Sequence, residues 1–579
     1  MHRYPSIILP LLLLAPLRLT TAFCPLHGPA FPLPKDPSAS KAVQTALGKL
    51  AATFDAGLKD PTNAVTNSST VSVHIYTTSS DTPLFEFHHS GANLNTSVGV
   101  KKVDSHSIWR IASISKLVTV YLVLKEVGDR YWDVAVAEVL PELKKDGKGK
   151  GSGRENPIED TDWAEVTLGT LAGQVSGVVS NLIYTAGANA LYDNSSKAAD
   201  LGLPPLTASE TPLCRVSNAG FTCTREQFLG ALDTRPPVWR ANTQPLYANT
   251  HFVILGYALE SLAGKPMLDI LQSLVDALGL DVLTPKLPDV SRAMIPGTLE
   301  TSGFLGQLGE AWPMGGLYST FNDLAKMGRS MLKSTFLSPN TTRAWLKPTA
   351  FISDLRGAVG RPWEIYRVDT KAARGVIDVY GKGGDYGPSY STWFGLVPDY
   401  DVGFIVGVGG KGNKRWLTTQ IADILFPALE EAARLETDAA YAGSYKVAAN
   451  GTASKITLTT EAGMPGLGVT EFTSRGVDVL EALGQVYGVP ASTENFRLFP
   501  TNLERSVGDG TTEVAWRGVV NAAFPNEQQS PWGACTAWFN VDGLAYGHYS
   551  LDSIVFTLGA DGKVTKIRPR AFKVDYLRE

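Results

Sequence analysis

The spacing of apolar and polar residues changes several times along the chain and predicts the order of its first elements. Apolar residues recur at helical spacing over residues 40–56, and apolar and polar residues alternate at 71–76 and 84–88. These patterns predict a helix followed by two strands. Residues 113–127 have almost no polar face after the first turn, so a buried helix is expected there.

The chain continues with helices and then strands up to about residue 435. Three segments show helical spacing and three show the alternation typical of strands: 225–232, 250–262 and 267–278, then 376–380, 391–397 and 402–408. Stretches rich in glycine and polar residues at 144–156 and 186–224 are typical of surface loops. The order predicts an α+β domain whose antiparallel sheet is assembled from both ends around a helical middle.

A different pattern begins after a helix predicted at residues 417–435. Short alternating runs follow, at 456–458, 537–541, 554–558 and 564–567. Short strands separated by turns predict an all-β region. We place the boundary near Asp438, which gives a first domain at 23–437 and an all-β C-terminal domain at 438–579.

The first residues have the pattern of a secretory signal peptide. An apolar run at 7–17 is followed by small residues ending at Ala22, which predicts a signal peptide at 1–22. A membrane anchor is the alternative, but the run is shorter than the roughly 20 apolar residues of a spanning helix and contains Pro10 and Pro16. We therefore expect a secreted, soluble protein.

Cysteines and glycosylation triplets agree with secretion. Four cysteines in a secreted chain predict two disulfides, with three possible pairings. We favour Cys214 with Cys223, which leaves Cys24 for Cys535, and free buried thiols are the alternative. Asn-x-Ser/Thr triplets predict a glycoprotein and begin at Asn67, Asn95, Asn194, Asn340 and Asn450.

The charge balance narrows the class of partner. With 52 basic and 56 acidic residues, neither nucleic acid nor an anionic membrane is expected as the main partner. The chain contains no CxxC pair and no HExxH motif, so no zinc site is predicted, and no cofactor is expected. A small, neutral or weakly charged substrate fits better, and the oligomeric state stays open.

Ser113 and Lys116 form a Ser-x-x-Lys pair at the start of the predicted buried helix. Residues at i and i+3 share a helix face, and a desolvated lysine can be neutral enough to take a proton from serine. The helix start also favours a developing oxyanion. The same form occurs at 38–41, in a proline-rich leader, and at 330–333, near a helix end, so the context favours Ser113.

Tyr247 and Asn249 lie two positions apart on a loop that leads into a predicted helix. The phenol can relay protons, and the amide can hold Lys116 or the substrate in place. The alternative is an ordinary aromatic residue with Asn249 as helix cap. Tyr192 and Asn194 have the same spacing but are weaker candidates, because Asn194 begins a glycosylation triplet.

Lys382, Gly383, Gly384 and Asp385 follow the strand predicted at 376–380. A lysine on an edge strand can attract a substrate carboxylate, and the glycines let a substrate backbone approach closely. The Asp385 amide could then be a second oxyanion donor beside the Ser113 amide. The alternative is a glycine-rich turn without function.

Taken in order, Ser-x-x-Lys, Tyr-x-Asn and Lys-x-Gly resemble the serine β-lactamases, especially class C, and the D-Ala-D-Ala peptidases and esterases of the same fold. Residues 174–177 and 313–320 are similar to further signatures of this family, and the resemblance spans 71–435. Residues 441–445 look like the start of the β-barrel-like appendage of many relatives. The layout is similar to that of secreted two-domain fungal β-lactamase-like proteins, which implies a β-lactamase/transpeptidase-like domain with a sheet, flanking helices and a helical subdomain.

The resemblance implies a serine hydrolase that cleaves a small ester, amide or peptide, including a lactam or D-amino peptide. Ser113 would attack the carbonyl with the aid of Lys116 and Tyr247 and form an acyl-enzyme. An acyltransferase of the same fold and a non-catalytic secreted binding protein are the alternatives. Gly383 departs from the threonine common in class C enzymes, and an acidic Asp385 follows, so weak β-lactam binding is expected.

Overall fold

The computed structural model describes residues 25–144, 156–182, 195–207, 210, 214, 216–217, 220–221, 223–369, 376–447, 453–493, 495–520 and 537–579. The chain divides into two compact units, one of residues 33–371 with 376–433 and one built mainly from residues 434–579. The disulfide predicted between Cys214 and Cys223 is present. Several predicted features lie outside the described residues: the signal peptide, Cys24, Cys535, Tyr192, Asn194 and Asn450.

The strands of the first unit form one large sheet and several short pairs. They are β1 Thr70–Thr77, β2 Phe85–His89, β3 Trp109–Arg110, β4 Val216–Ser217, β5 Gly220–Phe221, β6 Leu283–Thr284, β7 Tyr318–Ser319, β8 Ala350–Phe351, β9 Gly357–Val359, β10 Glu364–Asp369, β11 Val376–Tyr386, β12 Tyr390–Val397 and β13 Val402–Gly409. Eight of them make a sheet in the order β2-β1-β13-β12-β11-β10-β9-β8. Strand β1 pairs antiparallel with β13, from Thr70 opposite Gly409 to Thr77 opposite Val402. The predicted sheet assembled from both ends of the domain is confirmed.

The helices of the first unit lie mostly between β2 and β8 in the chain. They are α1 Lys41–Lys59, α2 Ser115–Glu126, α3 Val136–Val139, α4 Leu168–Ala172, α5 Ser195–Asp200, α6 Arg225–Ala231, α7 Thr250–Ala263, α8 Met267–Leu278, α9 Phe321–Leu332, α10 Pro339–Trp345 and α11 Lys414–Tyr441, whose residues from Arg434 onward belong to the second unit. Gly264 and Gly279 end α7 and α8 in the left-handed conformation, which glycine adopts without a steric penalty. Helix α2 begins two residues later than predicted, because a 3-10 turn at Ala112–Ile114 precedes it.

Apolar side chains cover both faces of the large sheet. Val71, Val73 and Ile75 of β1 belong to a core that also contains residues of α1 and α11. Tyr76, the next residue along β1, belongs to the other core, which contains α2 and α7. Successive side chains of a strand point to opposite faces. The sheet is therefore enclosed between two helical layers, and α2 is buried as predicted.

The second unit contains a closed barrel. Its strands are β14 Gly443–Lys446, β15 Lys455–Thr459, β16 Leu467–Ser474, β17 Val477–Asp478, β18 Phe496–Gly508, β19 Thr511–Val520, β20 Ala545–Tyr546, β21 Tyr549–Ser550, β22 Ser553–Leu558, β23 Val564–Pro569 and β24 Tyr576–Arg578, with helices α12 Val479–Tyr487 and α13 Ala537–Asn540. The sheet runs β15-β14-β24-β23-β22-β19-β18-β16-β17, and β15 also pairs with β16. This extra pairing closes a ring and leaves β17 outside it.

One strand predicted for this unit is wrong. The alternation at residues 537–541 predicts a strand, but Ala537–Asn540 form the short helix α13. Trp538 and Phe539, the aromatic residues of this run, are 73% and 74% exposed. Neither side chain supplies the burial on which that prediction depends. The strands predicted at 554–558 and 564–567 are present as β22 and β23, which pair antiparallel.

Within the described ranges, no helix has the length and apolar character needed to span a bilayer. Over the same residues, His, Cys, Asp and Glu side chains form no group of three or more that could hold a metal ion.

Candidate active site

A strained turn places Ser113 at the start of α2. Ala112, directly before it, has a φ of 47°, in the left-handed region that residues with a side chain seldom adopt, which costs roughly 1–3 kcal/mol. The Ile111 N–H donates to the Leu317 carbonyl over 3.1 Å and helps to hold the turn. The turn leads directly into α2, and the N-terminal end of a helix favours negative charge nearby.

Lys116 is fully buried one turn beyond Ser113. Its Nζ donates to Ser113 Oγ over 2.9 Å, to Asn249 Oδ1 over 2.7 Å and to the Met314 carbonyl. Burial lowers the pKa of Lys116 from 10.5 to about 8, and the positive charge of Lys382 acts in the same direction. An amine with this pKa can accept a proton near neutral pH.

The Tyr247 hydroxyl approaches Ser113 from the other side and donates to Oγ over 2.7 Å. The centre of its ring lies 5.1 Å from Lys116 Nζ and 5.0 Å from Lys382 Nζ. Burial of the hydroxyl favours a higher pKa for Tyr247, but the two ammonium groups outweigh it and lower the pKa from 10.0 to about 8. The pKa values of Tyr247 and Lys116 therefore lie in the same pH range.

A neighbouring segment positions the loop that carries Tyr247 and Asn249. The Tyr247 carbonyl accepts from Ser180 Oγ over 2.7 Å, and Asn249 Nδ2 donates to Asn181 Oδ1 over 2.7 Å. Gln174, in the segment that resembles a family signature, accepts the Leu246 N–H over 2.8 Å at its carbonyl. Asn249 is the N-cap residue of α7 but makes no side-chain cap hydrogen bond. The alternative role of Asn249 as a helix cap is therefore wrong, and its side-chain oxygen instead accepts a hydrogen bond from Lys116.

Residues 382–385 lie on β11, which is an inner strand of the sheet and not the predicted edge strand. Its neighbour β10 pairs with β11 only as far as Glu364 opposite Gly381. The end of β11 therefore extends past β10, and the expected open backbone edge exists only locally.

Gly384 lets the end of β11 approach the nucleophile turn. A Cβ atom at this position would lie 2.2 Å from the Ile111 carbonyl oxygen and 2.6 Å from Thr392 Oγ1. The Thr392 hydroxyl lies within hydrogen-bonding distance of two acceptors, the Ile111 carbonyl at 3.2 Å and the Gly384 carbonyl at 3.1 Å. This close approach brings the backbone after Gly384, including the Asp385 amide, to the turn that carries Ser113.

Glu364, which no sequence motif indicates, holds Lys382. Lys382 Nζ donates to Glu364 Oε1 over 2.5 Å, and the Gly383 N–H donates to Glu364 Oε2 over 3.1 Å. Burial favours a lower pKa for Lys382, but the Glu364 carboxylate outweighs it and the pKa is raised. Lys382, which is predicted to attract a substrate carboxylate, is paired in the structure with a carboxylate of the chain itself.

Asp385 is also paired within the protein. Its Oδ1 accepts from Lys414 Nζ over 2.6 Å and from Ser391 Oγ over 2.7 Å. Asp385 and Lys414 line a cavity of about 860 Å³, together with Ser113, Tyr247, Asn249 and Lys382. Six of the eight predicted site residues, all except Lys116 and Gly384, therefore line one cavity that is large enough for a small organic substrate.

Comparison with known families identifies the first unit. Residues 86–418, more than half of the 579-residue chain, match the family model described as "Beta-lactamase".

The chain belongs to the beta-lactamase family. Residues 433–579 match a second model, described as "Beta-lactamase-like-like, C-terminal domain". The resemblance stated from the three motifs is confirmed, and so is the fold, a β-lactamase/transpeptidase domain followed by an all-β domain with a closed barrel.

This beta-lactamase family member is similar to fungal proteins along nearly its whole length. It is 29% identical to the "Beta-lactamase-like protein" of Arthroderma benhamiae over 583 residues, which covers 94% of each chain. It is 24% identical to the "Probable hydrolase clz13" of Cochliobolus lunatus, with 94% of this chain and 90% of that protein covered. Among solved structures, a class C beta-lactamase from Rhodobacter sphaeroides is 17% identical, has a TM-score of 0.44 and covers 67% of this chain and 99% of its own.

The predicted residues fall into two groups in the structure. Ser113, Lys116, Tyr247 and Asn249 form one hydrogen-bonded cluster. The side chains of Lys382 and Asp385 are instead occupied by Glu364 and Lys414. Glu364 was missed because it lies on β10, a strand that the sequence patterns do not predict.

Proposed function

We propose that the protein is a secreted serine hydrolase that cleaves a small ester or amide through an acyl-enzyme on Ser113. The observation that carries this proposal is the position of Ser113 Oγ, 2.9 Å from Lys116 Nζ and 2.7 Å from the Tyr247 hydroxyl. A serine hydroxyl becomes a nucleophile when a neighbouring base takes its proton, and both neighbours have a pKa of about 8. The beta-lactamase family and the relative named a probable hydrolase support hydrolysis.

In the first half-reaction, Ser113 Oγ forms a bond to the carbonyl carbon. Its proton passes to the Tyr247 oxygen or the Lys116 amine, whichever is unprotonated, and the carbonyl electrons move onto oxygen. The amides of Ser113 and Asp385 stabilise this oxyanion, at about 3 kcal/mol for each donor. The tetrahedral species then collapses, the bond to the leaving group breaks, and the leaving group takes up the proton.

In the second half-reaction, water attacks the acyl-enzyme. The Lys116 and Tyr247 pair takes a proton from water and returns it to Ser113 Oγ as the ester bond breaks, which releases a carboxylic acid. An alcohol or amine in the place of water would give acyl transfer. Product analysis with an added alcohol or amine distinguishes the two, and we expect the acid as the main product.

Secretion is supported by three separate features. The leader at residues 1–22 has the pattern of a signal peptide, and the Cys214–Cys223 disulfide is typical of oxidising compartments. Asn67 and Asn340 are exposed acceptors for glycans. Expression in a fungal host, N-terminal sequencing of the protein from the medium and glycosidase treatment test this, and retention in the cell would contradict it.

Covalent labelling tests the hydrolase. Incubation with a fluorophosphonate is expected to add one phosphonyl group, seen by intact mass, and Ser113→Ala is expected to abolish it. Ser38→Ala is the matched control, because Ser38 begins another Ser-x-x-Lys sequence but is exposed at the surface. The absence of an adduct with fluorophosphonates, esters and penicillins alike would contradict the proposal.

A further inference from the structure

The position beside the nucleophile that would suit a substrate carboxylate is already filled. Lys382 is 1% exposed, and both its ammonium group and the neighbouring Gly383 N–H bind Glu364. A cation together with a backbone N–H is the donor set that a carboxylate ligand requires. Glu364 therefore makes, from within the chain, the contacts that an anionic substrate would otherwise make.

The occupied position lies close to the reacting groups. Lys382 Nζ is 5.0 Å from the centre of the Tyr247 ring, and the Tyr247 hydroxyl is 2.7 Å from Ser113 Oγ. Glu364, Lys382 and Gly383 line the same cavity as Ser113. The Tyr247 side chain thus lies next to both Ser113 and Lys382, and a substrate bound at Ser113 lies close to the Glu364–Lys382 pair.

The second lysine at this end of the sheet is occupied in the same way. Lys414 Nζ lies 2.6 Å from Asp385 Oδ1. The cavity is also lined by three arginines, Arg356, Arg367 and Arg415. The wider part of the cavity therefore does contain cationic side chains. Next to the strand that faces Ser113, however, each lysine is already paired with a carboxylate, so the carboxylate of a substrate would have to compete for it.

On the basis of the serine hydrolase proposed above, we infer that Glu364 is a specificity-determining residue. Its carboxylate fills the position on Lys382 and Gly383 that the carboxylate of a substrate would take. The enzyme therefore selects acyl donors that are uncharged beside the scissile bond. Esters or amides with a carboxylate on the leaving group are disfavoured, because that group would compete with Glu364 for the same donors. Removal of the Glu364 charge frees Lys382 to receive such a substrate.

A pair of substrates that differ only in one carboxylate tests this inference. The two are aryl esters of phenylacetylglycine, one with phenol and one with 3-hydroxybenzoic acid as the leaving group. We expect the wild type to have the higher kcat/KM for the phenol ester. In Glu364→Gln and Glu364→Ala, we expect the ratio of the two kcat/KM values to shift toward the carboxylate ester by at least about tenfold, since like-charge repulsion is relieved and Lys382 is unpaired.

Two variants and one control keep the outcomes distinct. Glu364→Gln preserves the size of the side chain and an acceptor for the Gly383 N–H, so it covers the case in which Glu364→Ala leaves buried Lys382 unpaired and fails to fold. Asp423→Asn removes a charge from the same cavity lining and is expected to leave the ratio of the two kcat/KM values within about threefold of the wild-type ratio.

An equal change for both esters in the Glu364 variants, or a wild type that prefers the carboxylate ester, overturns the inference. If neither ester is hydrolysed and fluorophosphonate does not label Ser113, the proposed hydrolase fails and the inference fails with it. Normal labelling with an unchanged ratio overturns the inference alone.

Discussion

The Tyr247 hydroxyl donates to Ser113 Oγ over 2.7 Å, although 134 positions separate the two residues in the chain. The contact depends on the loop that Ser180 and Asn181 hold from the neighbouring segment. It supplies the nucleophile with a second proton-transfer group besides Lys116. Removal of the hydroxyl alone should therefore slow acylation without displacing Ser113.

Tyr247→Phe deletes the hydroxyl and leaves the ring between the two lysines. We expect the rate of acylation to fall by about 10²–10⁴-fold, the usual contribution of a positioned acid-base group. Stopped-flow measurement of the phenol released from an aryl ester gives this rate. Tyr549→Phe, in the second unit, serves as the control. A loss of less than about threefold in Tyr247→Phe would show that Lys116 acts without the phenol.

The lowered pKa values of Lys116 and Tyr247 predict an alkaline activity profile. Each group has a pKa lowered to about 8, and the pair must lose a proton before it can accept one from Ser113. We therefore expect kcat/KM for a neutral ester to rise with pH and to level off above an apparent pKa near 8. A pH series in constant ionic strength measures it, and a flat profile between pH 6 and 9 would contradict this assignment.

Local motifs explain why part of the site could be predicted from the sequence. Ser113 and Lys116 lie one helical turn apart, and Asn249 lies two residues after Tyr247, so short-range geometry fixes each pair. Glu364 could not be found in this way, because its contact with Lys382 depends on the register of β10 against β11. That register is set by pairing over many residues, such as Glu364 opposite Gly381, and not by neighbours in the chain.

The same distinction applies to the fold. The helices α7 and α8 could be predicted because a 3.6-residue spacing and a terminal glycine are local signals. The alternation of residues indicates the strands of the C-terminal barrel but not its ring closure, because alternation does not specify that β15 pairs with β16. Asp385 shows the limit for side chains: its position could be predicted, but its ion pair with Lys414 could not.

Adjacent glycines on β11 give a matched test of the close approach to Ser113. A methyl group at Gly384 would meet the Ile111 backbone oxygen at 2.2 Å, whereas at Gly383 the nearest atom is the Glu364 side chain at 3.3 Å. We expect Gly384→Ala to lower the free energy of unfolding by about 1–3 kcal/mol or more, and to reduce fluorophosphonate labelling of Ser113. Gly383→Ala should lose less stability in the same denaturant series. Equal losses would show that the Gly384 contact does not position the turn.

Glu430 predicts a stability change with pH that is independent of the active site. The residue is 9% exposed and its carboxyl group accepts from the Tyr400 hydroxyl over 2.9 Å, and burial raises its pKa from 4.5 to about 7. The folded state therefore binds more protons than the unfolded state between these values, so stability falls as pH rises through this window. The loss by pH 8 is about 3 kcal/mol, from roughly 1.4 kcal/mol for each pKa unit.

Glu430→Gln keeps an acceptor for Tyr400 and removes the titration. We expect it to raise the free energy of unfolding at pH 8 by up to about 3 kcal/mol and to change it little at pH 4, where the wild-type carboxyl is already protonated in the folded state. Urea unfolding of both proteins at pH 4, 6 and 8 measures the difference. The comparison at pH 4 is the internal control, since a packing effect of the amide would appear there equally. A gain that is the same at all three pH values would show that packing, and not the buried charge, limits stability at this position.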